Sequence, residues 1–493
     1  MHAYPNLENN VMIRFGLLVL AMLALPASVQ GQNNYNVLFI AVDDLRPEMG
    51  CFGRSPTVSP NLDQLAQQSC VFRQHFVQVP TCGASRYALL TGRSPKHSQA
   101  LSNTALYSGK TALSPEQLPA AQTMPELFRR SGYHTTLIGK VSHTADGKVY
   151  AYNGQGDGRD EVPHAWDELA TPYGPWKRGW GIFFAYANGE HREDGQGHSD
   201  LMQFTAEEDT DLPDGMMAET AIEKLKSYQQ SGERFFMGLG FFKPHLPFVA
   251  TKQDWEAVDA MDIEPAPHGT KPETAYWHKS NEFYKYQADF PKTNPLAEQD
   301  QIQARKAYLA CVRYTDRQIG KVMTALQETG LDQSTIVVVW GDHGWHLGES
   351  AIWGKHTSLE RALKSPLFIK VPGVTDQGQQ TEALAETLDI YPTLIDLCQP
   401  KFRETTFPLD GVSQAAVIRG EKEAVRDTAI SYWQGGQVSI RSADYRLIAR
   451  AKKGEMENVE LYDVRRTPDP TDNLAEEKPE VVQKLLEAAQ DAK

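Results

Sequence analysis

A chain of 493 residues, 41% hydrophobic and 23% charged, is long enough to close one large core with room for a smaller appended unit. Its formal net charge of -14, with no run of five or more basic residues, argues against nucleic-acid binding, whose affinity comes largely from neutralising phosphates. An anionic substrate stays open, because a few cations in one pocket reverse the local field.

The first 32 residues read as an export signal, so a secreted or periplasmic protein is expected. Arg14 precedes an apolar run over 15–25, and Pro26, small residues and a polar stretch follow. That run is short for a bilayer span, and no stable membrane anchor is expected. There are five cysteines, at 51, 70, 82, 311 and 398, an odd and sparse set that leaves at least one thiol without an internal partner. Cys51 and Cys70 could pair.

Asn36-Val-Leu-Phe-Ile-Ala-Val42 is a continuous apolar run, suited to a strand buried on both faces. An amphipathic helix is predicted over 61–71, behind the capping sequence Ser59-Pro60-Asn61. Further buried strands are predicted over 133–138, 235–242, 335–340 and 367–371, with helices over 124–131, 216–230, 303–328 and 384–397. This alternation predicts an α/β fold with a large, mainly parallel sheet sandwiched by helices. Residues 145–215, rich in Gly, Pro, Trp and charge, read as long loops that could line a binding surface. Beyond residue 400, short strands over 429–433, 437–441, 445–450 and 460–464 and a helix over 479–492 predict a small antiparallel sheet with a closing helix. The expected division is a signal over 1–32, a catalytic domain over 33–400 and a C-terminal subdomain over 401–493.

Ligands of open α/β sheets bind beyond the carboxyl ends of the strands. Asp43-Asp44 follows the first strand, and Asp342-His343 follows the strand over 335–340 with one glycine between. Three carboxylates and an imidazole on one edge would repel one another unless a cation neutralised them. Carboxylate-rich ligation favours calcium, with magnesium second. Asp43-Asp44 alone could equally be a strand-end turn with a helix cap. Gly139-Lys140-Val-Ser-His143, Lys243-Pro244-His245 and Gly354-Lys355-His356 also lie beyond strand ends or at loop distance from one. Singly each has a plain structural reading; together they would line the same edge.

The segment Cys82-Gly-Ala-Ser85-Arg86-Tyr-Ala-Leu-Leu90-Thr91-Gly92-Arg93 resembles the sulfatase signature, and a helix is expected over 85–91. With Val42-Asp-Asp-Leu-Arg-Pro47, Lys243-Pro-His-Leu-Pro-Phe248 and Asp342-His-Gly-Trp-His-Leu-Gly-Glu349, the chain resembles the alkaline-phosphatase-like sulfatases, and among them the iduronate-2-sulfatase branch. Glu460-Leu-Tyr-Asp463 is similar to the end of many sulfatases. Ala84 stands at the commoner proline of the signature, an accepted variant.

The resemblance implies that a maturation enzyme oxidises Cys82 to formylglycine, whose hydrate attacks sulfur with one hydroxyl and expels sulfate with the other. It implies that Asp43, Asp44, Asp342, His343 and modified Cys82 hold one calcium ion. Arg86 and His143 would hold and deprotonate the diol, Lys140 and Lys355 would grip the sulfate, and His245 would protonate the leaving alcohol, with Lys355 the competing donor. The implied substrate is a sulfated oligosaccharide or polysaccharide: 2-O-sulfated iduronate, or another sugar of glycosaminoglycan or algal origin. Trp166, Trp176, Trp180 and His191 could stack on sugar rings or serve the core. Two other functions share these features in part. A phosphatase or phosphodiesterase of the same superfamily would usually bind two zinc ions and carry Thr or Ser at position 82. A non-catalytic carbohydrate-binding relative would lose the residues that are present here.

Overall fold

The structure, a computed structural model, describes residues 35–278 and 280–491. The expected signal over 1–32 lies outside the described residues, among which no helix is long and apolar enough to cross a membrane.

The core is an eight-stranded sheet built from β1 (Asn36–Val42), β2 (Cys70–Phe76), β3 (His134–Gly139), β4 (Glu168–Leu169), β5 (Phe235–Phe241), β6 (Thr335–Gly341), β7 (Leu367–Lys370) and β8 (Gln379–Glu386). Their spatial order is β8-β2-β7-β6-β1-β5-β3-β4. β7 alone runs against its neighbours; the other pairings are parallel. β1 shows why an unbroken apolar run was needed. Leu38, Ile40 and Val42 enter one core, against Met217 and Leu225 of α4 (Pro213–Ser231) and Ala307 and Leu309 of α5 (Glu298–Glu328). Val37, Phe39 and Ala41 enter the opposite core, against Leu127 and Phe128 of α3 (Met124–Arg130) and Leu394 of α6 (Ile390–Cys398). Each of the Val, Leu, Ile, Phe and Met side chains among them contributes about 1.5–3 kcal/mol by leaving water.

The C-terminal residues form an antiparallel sheet of β9 (Ala429–Trp433), β10 (Gln437–Arg441), β11 (Tyr445–Lys452) and β12 (Glu455–Asp463). α7 (Pro479–Asp491) covers it through Leu485, packed with Val438, Ile440 and Leu461. The sheet is tied to the end of β2 by Tyr432 N–H on the Gln78 carbonyl (2.7 Å) and Ser431 Oγ–H on the Val77 carbonyl (2.6 Å).

Three expectations are corrected. The helix predicted over 61–71 stops early: α1 spans Pro60–Ala66, and Cys70 and Val71 already belong to β2, which pairs with β7 and β8. The helix predicted over 384–397 divides in the same way, into the end of β8 and then α6. In both places a strand's hydrogen bonds to distant segments overrule a locally helical pattern. Cys51 and Cys70 are both free thiols and do not pair.

Candidate functional site

Four parallel strands end level with one another. Val42 pairs with Gly341 on one side and Phe241 on the other, and Gly139 pairs with Gly240. The residues after each strand therefore arrive at one place on the carboxyl edge. β1 delivers Asp43 and Asp44, β6 Asp342 and His343, β3 Lys140 and His143, and β5 Lys243 and His245. α2 (Cys82–Thr91) brings Cys82 as its first residue, and a short hairpin, His346–Leu347 with Trp353–Gly354, brings Lys355.

One donor atom each from Asp43, Cys82, Asp342 and His343 lies within 4.8 Å of the others, and the set Asp43, Asp44, Cys82 and His245 meets the same limit. Cys82 Sγ is 3.2 Å from His343 Nε2 and 3.5 Å from Asp43 Oδ1. Asp44 sits at φ 59°, a left-handed conformation that Asp tolerates better than most residues. Its N–H donates to Asp342 Oδ1 (2.9 Å) and its carbonyl accepts from Tyr308 Oη (2.8 Å), which pins the turn.

These side chains fit a divalent cation. His343 Nδ1 is 3.0 Å from the Gly344 carbonyl and must donate there. Its Nε2 is left facing Asp44 Oδ1 at 3.4 Å and Asp342 Oδ1 at 3.6 Å. Two carboxylates and an imidazole nitrogen converging on one point are a donor set suited to a hard cation. Asp44 Oδ2 is buried without a hydrogen-bond partner, a costly state for a carboxylate. Burial pushes the Asp44 carboxyl up to about 7, against the pull of Lys355 and His343, and Asp43 and Asp342 add to the rise. A bound cation would ionise it.

Fixed cations surround the cluster. Arg86 is fully buried: Nε is 3.1 Å and Nη2 3.0 Å from Asp342 Oδ2, while Nη1 donates to the Lys140 and Val141 carbonyls. Lys140 Nζ pairs with Asp43 Oδ2. Lys355 Nζ is 2.8 Å from Asp44 Oδ1 and 3.4 Å from Cys82 Sγ. Burial alone would raise Asp43, but Lys140 and then His245 and Arg86 hold its carboxyl well below the usual range. Burial pushes the Cys82 thiol well up, so the unmodified residue is a poor thiolate nucleophile. His143 is buried with Nδ1 unpartnered, and burial followed by the charges of Lys140 and Arg86 keeps it well below the imidazole range. His245 Nδ1 donates to the Leu246 carbonyl (2.7 Å), which turns Nε2 toward the cluster, 3.8 Å from Asp44 Oδ2. Lys243 instead turns back on its own loop, onto the His245 and Pro247 carbonyls.

A family model described as "Sulfatase" matches residues 35–399. The chain belongs to the sulfatase family. A second model, "N-sulphoglucosamine sulphohydrolase, C-terminal", matches residues 348–492 of this sulfatase. It is 32% identical to iduronate 2-sulfatase of Mus musculus over 419 residues, covering 76% of this chain and 71% of that protein. It is 29% identical to a sulfatase of Formosa agariphila over 472 residues, covering 89% and 83%. Its fold matches the structure of a phosphonate monoester hydrolase from Silicibacter pomeroyi with a TM-score of 0.71 at 22% identity, over 92% of this chain and 94% of that one. The protein is a sulfuric ester hydrolase.

Two carboxylates of the sulfatase site were not legible beforehand. Glu161 accepts the backbone N–H of His143 (3.1 Å) and of Thr144 (2.7 Å) and so shapes the His143 turn. Glu282 lies 3.3 Å from His245 Nε2 and 3.5 Å from Lys355 Nζ. Neither stands in a motif or at a strand end. The aromatic residues of the 145–215 loops mostly serve packing: Trp176 and Trp180 belong to the core, with the Trp180 ring 5.7 Å from His143, and Trp166 packs against Phe236. His191 is buried at the start of a helical turn.

Proposed function

We propose that this sulfatase removes sulfate from a sulfated saccharide, using oxidised Cys82 as nucleophile and one calcium ion held by Asp43, Asp44, Asp342 and His343. The reading rests on one observation: ligand atoms from strand ends about three hundred residues apart meet within 4.8 Å of the Cys82 sulfur, ringed by Arg86, Lys140 and Lys355. The similarity to iduronate 2-sulfatases favours a sulfated sugar, with 2-O-sulfated iduronate and other glycosaminoglycan or algal sugars as candidates. Export through a leader over 1–32, a catalytic domain over 33–400 and a closing subdomain over 401–493 complete the proposal.

Oxidised to its aldehyde hydrate, Cys82 would offer a hydroxyl nucleophile, and a divalent ion held by Asp43, Asp44, Asp342 and His343 would polarise it. The remaining work falls to the chain. Arg86, fixed by Asp342 and two carbonyls, holds that side chain in line. Lys140, paired with Asp43, and Lys355, 3.4 Å from the Cys82 sulfur, offset charge that grows on the sulfate oxygens. His143 stays neutral with Nδ1 unpartnered and is assigned the proton from the nucleophile, although burial beside Lys140 and Arg86 makes it a weak base. With Nδ1 donating to the Leu246 carbonyl, His245 Nε2 can give a proton to the departing sugar oxygen only from the imidazolium, which burial and Lys355 disfavour and Glu282 favours; Lys355 is the competing donor.

Mass spectrometry of the Cys82 peptide should show an aldehyde in place of the thiol when the protein is made alongside a maturation enzyme. Aryl sulfate should be hydrolysed in preference to aryl phosphate, and a chelator should abolish the activity. A preference for the phosphate ester would overturn the reading. A panel of defined sulfated oligosaccharides then assigns the sugar.

A further inference from the structure

Glu282, like Glu161, belongs to no strand end, and it lies against His245 and Lys355. It stands in the segment between β5 and α5, and that segment is locked onto the hairpin carrying Lys355. Phe283 stacks on Trp353 with ring centroids 4.8 Å apart and planes at 25°. Ser280 is buried against Gly354 so closely that a methyl group there would lie 2.1 Å from Ser280 Oγ. Trp277 Nε1–H donates to the Ser350 carbonyl (2.6 Å). Packing thus fixes the Glu282 carboxylate, with Oε1 toward His245 and Oε2 toward Lys355. Burial would raise its pKa, but Lys355 and then His245 keep it well below the usual carboxylate range, so it is charged.

Among the described residues, Asp43, Asp44, Asp342 and Glu282 face the fixed cations Arg86, Lys140 and Lys355. Asp43, Asp44 and Asp342 converge on the cation site; Glu282 instead contacts the two groups that meet the ester and its leaving oxygen. His356, Arg192 and the phenols of Tyr152 and Tyr286 also feel or exert charge there. Glu282 therefore makes the ester pocket one unit less positive without serving the metal cluster. That unit matters most where two substrates differ by one charge. A sulfate ester is a monoanion throughout the working pH range. A phosphate monoester becomes a dianion above a pKa of about 6.

We propose that Glu282 is a specificity-determining residue: its fixed negative charge beside Lys355 and His245 selects a monoanionic sulfate ester and rejects the dianionic phosphate ester of the same alcohol. The proposal rests on the sulfate-ester reading above.

The test is Glu282→Gln, nearly the same shape without the charge, with Glu282→Asp as the variant that keeps it. The ratio of kcat/KM for an aryl phosphate to that for the matching aryl sulfate should rise about tenfold in Glu282→Gln near pH 8, roughly what one unit charge contributes at this range. The rise should vanish by about pH 5, where the phosphate ester is a monoanion. Glu282→Asp should keep the wild-type ratio even if both rates fall. A ratio unchanged by Glu282→Gln, or changed equally at both pH values, overturns the proposal and leaves Glu282 a positioning residue only. Calorimetry with benzenesulfonate and phenylphosphonate reads the same preference without turnover. If wild type hydrolyses no sulfate ester, the proposed function fails, and calorimetry still decides the charge question: Glu282→Gln should gain affinity for phenylphosphonate alone.

Discussion

Arg86 Nη2 lies 3.0 Å from Asp342 Oδ2, and both side chains are fully buried. This contact joins the helix that presents Cys82 to the strand end that presents Asp342 and His343. Removing one partner strands a buried charge. Arg86→Ala should lower stability by about 3–5 kcal/mol in urea denaturation. Arg86→Lys keeps the charge but cannot also reach the Lys140 and Val141 carbonyls. It should fold, with kcat on aryl sulfate down by about 100-fold or more.

The unpartnered Asp44 Oδ2 predicts that cation binding and folding are linked. Calcium added to chelator-treated protein should raise Tm, by the equivalent of about 2.7 kcal/mol at a hundredfold excess over Kd. Magnesium should give a smaller rise. Asp44→Asn should lose most of the calcium-dependent shift; an undiminished shift in that variant would place the ion elsewhere.

His75 ties acid sensitivity to the sheet rather than to the site. Its Nδ1 lies 3.1 Å from the Ser365 carbonyl and its Nε2 3.2 Å from Thr387 Oγ1. Burial lowers its pKa to about 4, from an ordinary 6.5. The folded state thus prefers neutral His75. The contribution is complete above pH 6.5 and is lost as pH falls through about 4. Over that window it amounts to about 3 kcal/mol. His75→Gln should flatten this part of the stability-versus-pH curve, as measured by urea midpoints between those limits.

Gly240 has no space for a side chain: a Cβ would lie 2.2 Å from the Lys140 carbonyl carbon. Gly240→Ala must therefore push β3 away from β5, just where Lys140 leaves the sheet. Stability should fall by about 1–3 kcal/mol, with a loss of kcat larger than that destabilisation explains. Equal stability and unchanged kcat would show that the strand end gives more freely than its packing implies.

How much was legible follows from where the information lies. β1, β5 and β6 are buried on both faces, so each is a continuous apolar run, and the polar residues ending it stand out. The 82–93 segment carries its chemistry in consecutive positions. β2 and β8 were hidden for the opposite reason. β2 contains the half-buried Arg73 and Gln74 and follows α1 almost at once, while β8 begins with exposed or half-buried polar residues at the sheet edge. Glu161 and Glu282 came from irregular segments, where no period marks a side chain as inward. Their partners are fixed only by tertiary contacts. Cys51 and Cys70 were open to pairing, yet Cys70 sits in β2 opposite Ile369 of β7, with its side chain in the core.

Ser85 Oγ and Arg86 both bind Asp342, and Ser85 is separated from it by 257 residues. A ribosome adds roughly 5–20 residues per second. The stretch bearing Cys82 therefore emerges roughly 13 to 50 s before the residue that clamps its helix has been made. In the finished protein the Cys82 side chain is only 2% exposed. Any enzyme that must reach that sulfur has at least this interval in which to act, and folding of the helix onto Asp342 ends its access.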